Sequence, residues 1–251
     1  MFSFFQRKKI ISDMEWLGID IHSHILPGID DGAKNIDLSL SYIRQLQELG
    51  YSQLYGTPHV YSDLYPNTPD TIFTALGEVV PAVKQAGLTV KVNAAAEYMA
   101  DATFAATEGL LTLPNNHILI EMSYLTETPN IEQIIFDLQL KGYTVILAHP
   151  ERYTFYYGNL DRFKRFKEMG CLLQLNLLSI IGYYSKAVKA TAEELVKAKL
   201  YDFAGTDLHH DRHLKKLTEA VQSGLLYKLV GHLEFKNKEL LSTPQLTSEV
   251  R

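Results

Sequence analysis

Apolar and polar positions follow a repeating scheme along this chain: a short apolar run, a polar residue at its end, then a longer stretch with helical spacing. Leu17-Gly18-Ile19-Asp20-Ile21 leads into His22-Ser23-His24, and residues 53–58 lead to His59. Residues 90–96 end at Glu97, 118–120 at Glu121, 143–148 at His149 and 172–175 at Asn176; residues 201–206 end at Asp207, with His209 two further on. Short continuous apolar runs suit strands buried on both faces. Between them, residues 36–50 place Ile36, Leu40, Ile43 and Leu46 on one helical face, with Asn35 or Asp37 as cap and Gly50 as stop. Helices are also predicted over 70–87 (kinked or split at Pro81), 100–109, 131–142, 160–170, 187–199 and 211–223. Gly50, Gly87, Gly109, Gly142 and Gly170 each follow such a stretch, where a left-handed cap residue is expected.

Alternation of strand and helix from end to end predicts an α/β protein with a parallel sheet or (β/α) barrel, and 251 residues are enough for one such unit. No Pro/Gly/Ser-rich linker divides the chain, so one domain is expected over 17–235, after an N-terminal extension of 1–16 and before a loose polar tail of 236–251. In a parallel barrel the strand C-termini converge on one rim. The polar residues that end these runs would therefore converge too.

Composition narrows the chemistry. A net charge of −5 argues against a nucleic-acid binder that works through a basic field. The single cysteine, Cys171, rules out an intrachain disulfide and a cysteine-rich zinc site, and its place at the start of a strand makes it a small core residue. No stretch reaches the roughly 20 apolar residues of a membrane span. Near the N-terminus, Arg7, Lys8 and Lys9 follow Phe2, Phe4 and Phe5, the reverse of a signal peptide, so the cytoplasm is the expected location.

The motifs are those of a metal site. In extended chain alternate side chains share a face, so His22 and His24 can reach one ion. Asp30-Asp31-Gly32 reads as a turn, from which Asp31 could fold back as an oxygen ligand. Glu97 follows three alanines that leave room around it, with a salt-bridged rim glutamate as the plainer reading. Glu121 lies in what should be core, where a carboxylate needs a partner or a metal. Imidazole and carboxylate without thiolate suit Mn, Fe or Zn. The set exceeds what one ion needs, so two or three divalent ions are expected. Clustered divalent ions bind phosphoryl oxygens, acidify water and offset charge on a leaving oxygen, which points to phosphate-ester hydrolysis. Tyr153, Tyr156, Tyr157, Tyr183 and Tyr184 are expected on flanking loops, either stacked on a substrate ring or wedged between helices.

With these residues in view, the chain resembles the PHP (polymerase and histidinol phosphatase) superfamily, and within it the CpsB/CapC branch of bacterial manganese-dependent protein-tyrosine phosphatases. The resemblance rests on residues 20–32, Thr57-Pro58-His59, Glu97, Ile120-Glu121, His149-Pro150-Glu151-Arg152-Tyr153 and Asp207-Leu208-His209. It implies a distorted (β/α)7 TIM-like barrel of the PHP fold. It implies metal ligands at His22, His24, Asp31, His59, Glu97, Glu121, His149, Asp207 and His209. Glu97 would bridge two ions, with His22, His24 and Asp207 on one side and Glu121 and His149 on the other; Asp31, His59 and His209 would serve the third. Arg152 would clamp the substrate phosphate, and Arg212 stands roughly where a second phosphate-binding arginine belongs, with His210 and His213 as rivals for that role. Asp207 and His209 complete the catalytic set.

The expected reaction is metal-dependent hydrolysis of phosphotyrosine in proteins, with Mn first among the metals. By resemblance the partner would be the tyrosine-rich tail of a kinase that controls capsule or exopolysaccharide synthesis. One rival is another PHP phosphoesterase acting on histidinol phosphate, a nucleotide or a DNA end. A second is a metal-dependent binding protein without turnover. A small-molecule enzyme should enclose its ligand, whereas a tail phosphatase should have an open rim.

Overall fold

The computed structural model describes residues 10–241. The aromatic-basic stretch at residues 2–9 lies outside the described residues, as does the tail from 242. Among the described residues all strand ladders are parallel: β1 (Ile19–Ser23), β2 (Gln53–Gly56), β3 (His59–Val60), β4 (Lys91–Ala94), β5 (Glu97–Met99), β6 (His117–Glu121), β7 (Thr144–Ala148), β8 (Leu172–Asn176) and β9 (Phe203–Gly205). They form two sheets, of order β1-β2-β4 and β3-β5-β6-β7-β8-β9. The division comes from two short interruptions in otherwise continuous runs. Thr57-Pro58 separates β2 from β3, because proline has no N–H to give a ladder, and Ala95-Ala96 separates β4 from β5. Single bonds step across the breaks: the N–H of Thr57 donates to the Ser23 carbonyl (2.8 Å), that of Ala95 to Gly56 (2.9 Å) and that of Glu97 to Pro58 (3.1 Å).

Helices α1 (Ile36–Glu48), α2 (Pro69–Gln85), α3 (Ile131–Leu140), α4 (Leu160–Glu168), α5 (Leu177–Ile180), α6 (Lys186–Lys197), α7 (Asp211–Gln222) and α8 (Leu225–Val230) lie between and after the strands. Alternate strand residues serve two cores. Ile118, Ile120, Val145 and Leu147 join the layer that includes helix residues such as Phe163 and Phe166, whereas Leu119, Ile146 and Phe203 belong to a separate cluster with Ile19 and Tyr55. Leu119 and Glu121 share a face by this two-residue period, so the chain of inner positions continues into the functional residues at the strand ends.

No ladder joins β9 to β1. That seam is crossed by single bonds and side chains. At its upper end Asp207 N–H donates to the His22 carbonyl (2.8 Å) and His24 N–H to the Leu208 carbonyl (2.9 Å). Midway, the buried Asp20 carboxylate accepts from Thr206 N–H (3.0 Å) and Thr206 Oγ1 (2.5 Å), and burial pushes its pKa up to about 6. At the lower end Asn237, fully buried in the 3₁₀ turn Asn237–Leu240, donates to the carbonyls of Ile19 (2.9 Å) and Ala204 (2.7 Å) and accepts from Ala204 N–H (3.0 Å).

Three expectations need correction. Residues 100–109 form no helix. Asp101 Oδ1 accepts from both the N–H and the hydroxyl of Thr103 (2.7 Å each), and the hydroxyls of Tyr98 and Tyr143 accept the N–H groups of Leu111 and Leu110 (2.7 and 3.1 Å). Backbone groups satisfied this way do not close a helical turn. Pro81 neither splits nor ends α2, which runs unbroken from Pro69 behind the Thr68 capping box. The chain does not loosen at 236 either, since Asn237 and Leu240 are buried under the strands. Cys171 is buried as expected, and burial pushes its thiol up to about 12.

Asn237→Ala leaves three buried backbone groups of β1 and β9 without partners and is expected to lower unfolding free energy by about 2–3 kcal/mol. Urea denaturation followed by circular dichroism tests this, and an unchanged midpoint would show that the seam does not depend on the amide.

Candidate metal centre

Two histidines leave β1 with one ring nitrogen already engaged. His22 Nδ1 donates to Gln174 Oε1 on β8 (2.9 Å), and His24 Nδ1 donates to Asp30 Oδ2 (2.7 Å). Each bond fixes a tautomer and turns Nε2 inward, the usual arrangement of a ligating imidazole. The two Nε2 atoms lie 3.4 Å apart; that of His22 is 3.2 Å from Glu97 Oε1 and 3.3 Å from Asp207 Oδ1, and that of His24 is 3.3 Å from Asp207 Oδ1. Two glycines make the approach possible. A Cβ on Gly32 would collide with the His24 carbonyl oxygen, and one on Gly205 would sit 2.6 Å from the Cβ of His22.

Glu97, fully buried, stands at the centre. Its Oε1 is 3.1 Å from His149 Nε2, and its Oε2 is 3.1 Å from His59 Nδ1 and 3.4 Å from His24 Nε2. Glu121 ends β6 with Oε1 3.0 Å from His59 Nδ1 and Oε2 3.7 Å from His149 Nε2. The exposed Asp31 brings Oδ1 to 3.5 Å from His59 Nε2 and 3.6 Å from His209 Nε2. All nine expected ligands are thus brought together. Their closest groupings are His22, His24, Glu97 and Asp207; His59, Glu97 and Glu121; and His24, Asp31, His59 and His209. The first matches the expected partition. In the others His59 rather than His149 stands with Glu97 and Glu121, and His24 joins the third set.

The donor set fits divalent cations. Glu97 Oε2 is buried, and although His59 Nδ1 and His24 Nε2 lie 3.1 and 3.4 Å away, neither is aligned as a hydrogen bond to it, a costly state for a carboxylate oxygen that a cation would relieve. Burial alone would raise the pKa values of Glu97 and Asp207, yet the facing imidazoles hold both well below the usual carboxylate range. Burial opposes charge on His22, His24 and His59, yet the carboxylates raise all three, His59 to about 10. His209 is lowered to about 4 by burial and by the neighbouring His24. A field that holds protons on buried imidazoles is one that also holds cations. Two of the expected ligands carry backbone strain: His149 (φ 33°) and Asp207 (φ 50°), just past β7 and β9, are in the left-handed region.

Arg152 ends the 3₁₀ turn Pro150–Arg152 just past His149. Its Nη1 donates to Asp207 Oδ2 (2.7 Å), and its guanidinium lies 4.3 Å from the ring centres of both Tyr124 and Tyr184. Burial would lower its pKa, but Tyr184 and Asp207 hold it above the ordinary value. Asn176, at the end of β8, donates from Nδ2 to Asp207 Oδ2 (2.8 Å) and to the Tyr184 hydroxyl (3.0 Å). The buried Glu151 supports this turn by accepting from Asn176 N–H (3.0 Å) and the Tyr201 hydroxyl (2.9 Å).

Over the cluster lies an open cavity of about 580 Å³, bordered by Asp31, His59, Glu121, Arg152 and His209. Arg212 is not among its walls and is exposed on α7, so the second arginine is not brought to the site. His210 and His213 do border it, but they also order the loop: His210 Nδ1 caps α7 by accepting from His213 N–H (3.3 Å), and His213 Nδ1 accepts from His209 N–H (3.3 Å). Of the tyrosines expected there only Tyr184 lines the cavity; Tyr153 and Tyr156 are core residues, and Tyr183 packs edge-on to His213. Tyr61, Tyr65 and Tyr124 take their place. Their signal was available, since each follows a strand-end ligand, His59 or Glu121, by a few residues. Asp30, a turn residue by sequence, has its side chain buried against His24 Nδ1. Burial would raise its pKa, but His24 and the Gly32 N–H bring it to about 2.

Comparison with known proteins places most of the chain among relatives of one family. The model of the family described as "Capsular polysaccharide synthesis, CpsB/CapC" matches residues 18–239. Tyrosine-protein phosphatase YwqE of Bacillus subtilis is 32% identical over 201 residues, covering 76% of this chain and 77% of that protein. Tyrosine-protein phosphatase CpsB of Streptococcus agalactiae is 27% identical over 201 residues, 76% of this chain and 83% of that protein. Among solved structures, one from work on YwqE and on CpsB from Streptococcus pneumoniae, described as unique metal-dependent tyrosine phosphatases, superposes with a TM-score of 0.75 at 29% identity, covering 89% of this chain and 94% of that one. The lactonase Lmo2620 from Listeria monocytogenes shares the fold alone, with a TM-score of 0.53 at 12% identity over 92% of this chain and 96% of that one.

Asp30→Asn removes the charge that orients His24 and is expected to weaken divalent-ion affinity about 10–100-fold, whereas Glu97→Ala should lose bound metal altogether. Manganese titration calorimetry and metal analysis of the two variants check this; wild-type affinity in both would remove these residues from the centre.

Proposed function

The chain belongs to the CpsB/CapC family, and on that premise we propose that it is a metal-dependent phosphatase acting on phosphotyrosine in proteins. The observation that carries the reading is the placement of Arg152, a guanidinium clamped between two tyrosine rings, beside a buried imidazole-carboxylate cluster at one open cavity. The seven strand runs are read as a distorted (β/α)7 barrel of the PHP type over residues 17–235, with the 237–240 turn beneath its seam.

Ligands for two or three divalent ions, Mn first and Fe or Zn as alternatives, are His22, His24, Asp31, His59, Glu97, Glu121, His149, Asp207 and His209. Such ions would bind phosphoryl oxygens, lower the pKa of water and offset charge on the leaving oxygen. The chain's own residues do the rest. Arg152 offers a forked set of donors to the non-bridging phosphate oxygens, and Tyr124 and Tyr184 hold the plane of that fork. Asp207 anchors it, Asn176 donates to that same Asp207 oxygen, and Glu151 accepts from the Asn176 N–H. A phenol leaves with a pKa near 10, low enough that a proton donor at the departing oxygen is not essential.

A protein substrate is favoured by the mouth of the cavity. Leu64 and Leu125 border it at 66% and 80% exposure, an apolar, open rim suited to a flanking polypeptide rather than a closed pocket for a sugar or nucleotide phosphate. The partner proposed is the tyrosine-rich tail of a kinase governing capsule or exopolysaccharide synthesis, and the compartment the cytoplasm. No helix among the described residues is long and apolar enough to cross a membrane.

Phosphate release should be measured from a phosphotyrosine peptide, a phosphoserine peptide and histidinol phosphate, after chelation and again after adding Mn. Turnover restored by Mn and confined to phosphotyrosine is expected; preference for histidinol phosphate would sink the substrate assignment. Arg152→Ala should retain its metal and raise KM about 10–100-fold, the loss of one or two charge-assisted hydrogen bonds. Unchanged kinetics would show that Arg152 is not the clamp.

A further inference from the structure

A second, smaller cavity of about 200 Å³ adjoins the first, and the two share Tyr61, Met99 and Asp101 as common walls. We propose that this groove is a subsite for one aliphatic or aromatic side chain of the substrate polypeptide, close in sequence to the phosphotyrosine held in the main cavity. The inference rests on the phosphotyrosine reading above and adds a determinant of which sequences are preferred.

The chemistry of the walls selects the occupant. Tyr98, Phe104, Ala105 and Leu110 line the groove with the shared Tyr61 and Met99, and its only charged wall residue is Asp101. One oxygen of that carboxylate is turned into its own loop, accepting from the N–H and hydroxyl of Thr103 (2.7 Å each). With no cation among its walls, and with the hydroxyls of Ser62 and Thr103 donating to Asp63 and Asp101, the groove has no positive charge to hold a phosphate or an acidic side chain. Its volume is below the roughly 300 Å³ at which whole-ligand pockets begin, which suits one side chain and not a separate molecule.

The groove is pre-formed. Tyr61 is held by reciprocal backbone bonds with Tyr65 (2.9 and 2.8 Å), and Asn67 ties the same loop to the His59 carbonyl (2.8 Å). On the far wall the Tyr98 hydroxyl accepts from Leu111 N–H (2.7 Å), and Tyr98 and Phe104 meet edge-on at 6.1 Å. Binding here therefore orders little protein, so burial of an apolar side chain is retained as affinity. Successive residues of an extended peptide advance about 3.3 Å, so cavities with common walls correspond to positions within about three residues of each other.

The test is a set of phosphotyrosine peptides in which leucine replaces glycine at each position from three before to three after the phosphotyrosine, assayed with Mn-loaded enzyme. Leucine at one position should lower KM about fivefold to tenfold, the value of partly burying one such side chain, with kcat unchanged. Ala105 is exposed on the groove. Ala105→Phe should fill it and flatten the scan, and Ala105→Lys should shift the preference at that position towards aspartate. A flat scan in the wild type with turnover intact, or a leucine preference that survives Ala105→Phe, overturns the subsite and leaves the phosphotyrosine reading standing. Failure of the metal-loaded enzyme on every peptide overturns both.

Discussion

A carboxylate sealed from water and faced by four imidazoles is the constraint around which this protein is organised. Glu97 has no exposed surface, and His22, His24, His59 and His149 all present a nitrogen within 3.4 Å of it. A buried ionised group is tolerated only with full compensation. Here the compensation comes from three separate strand ends, those of β1, of the β2–β3 run and of β7, so the electrostatics of one side chain depend on the alignment of much of the sheet system. The glycines at 32 and 205, the left-handed turns at His149 and Asp207, and the outward hydrogen bonds of His22 and His24 all serve to bring those nitrogens close enough.

The support for Arg152 is built in the same manner, from a different part of the chain. Its position follows from the His149 turn, its plane from Tyr124 and Tyr184, and its anchor from Asp207, which also belongs to the metal cluster. Asp207 thus divides its two oxygens, Oδ1 towards the histidines and Oδ2 towards Arg152 and Asn176. A single carboxylate sets the spacing between the imidazole cluster and Arg152, which is why neither can shift without the other.

Much of this could be read in the sequence because it depends on local periodicity. The apolar runs and their terminal polar residues mark the strands and nine converging side chains, and the glycines after helical stretches do adopt left-handed angles, from 69° at Gly87 to 103° at Gly50. What was misread depends on partners distant in the chain. Residues 100–109 have helical composition, but hydroxyls of Tyr98 and Tyr143 take two N–H groups at their far end. Arg212 has the right charge and the wrong face of α7. Asp30 looks like a turn residue until His24 is placed against it, and no periodicity in the sequence places Asn237 between Ile19 and Ala204.

That last contact has a temporal consequence. The polypeptide emerges from its N-terminus first, so His22 and His24 exist long before Asp207 and His209, which they face across the seam. Contacts between the two ends carry a large loop-closure cost and form late. Until Asn237 is in place to bridge the first and last strands, the cluster is an incomplete arc with its acidic centre open to water. Assembly of the complete imidazole–carboxylate cluster is therefore an event at the end of biosynthesis, and a nascent or C-terminally clipped chain is left without it.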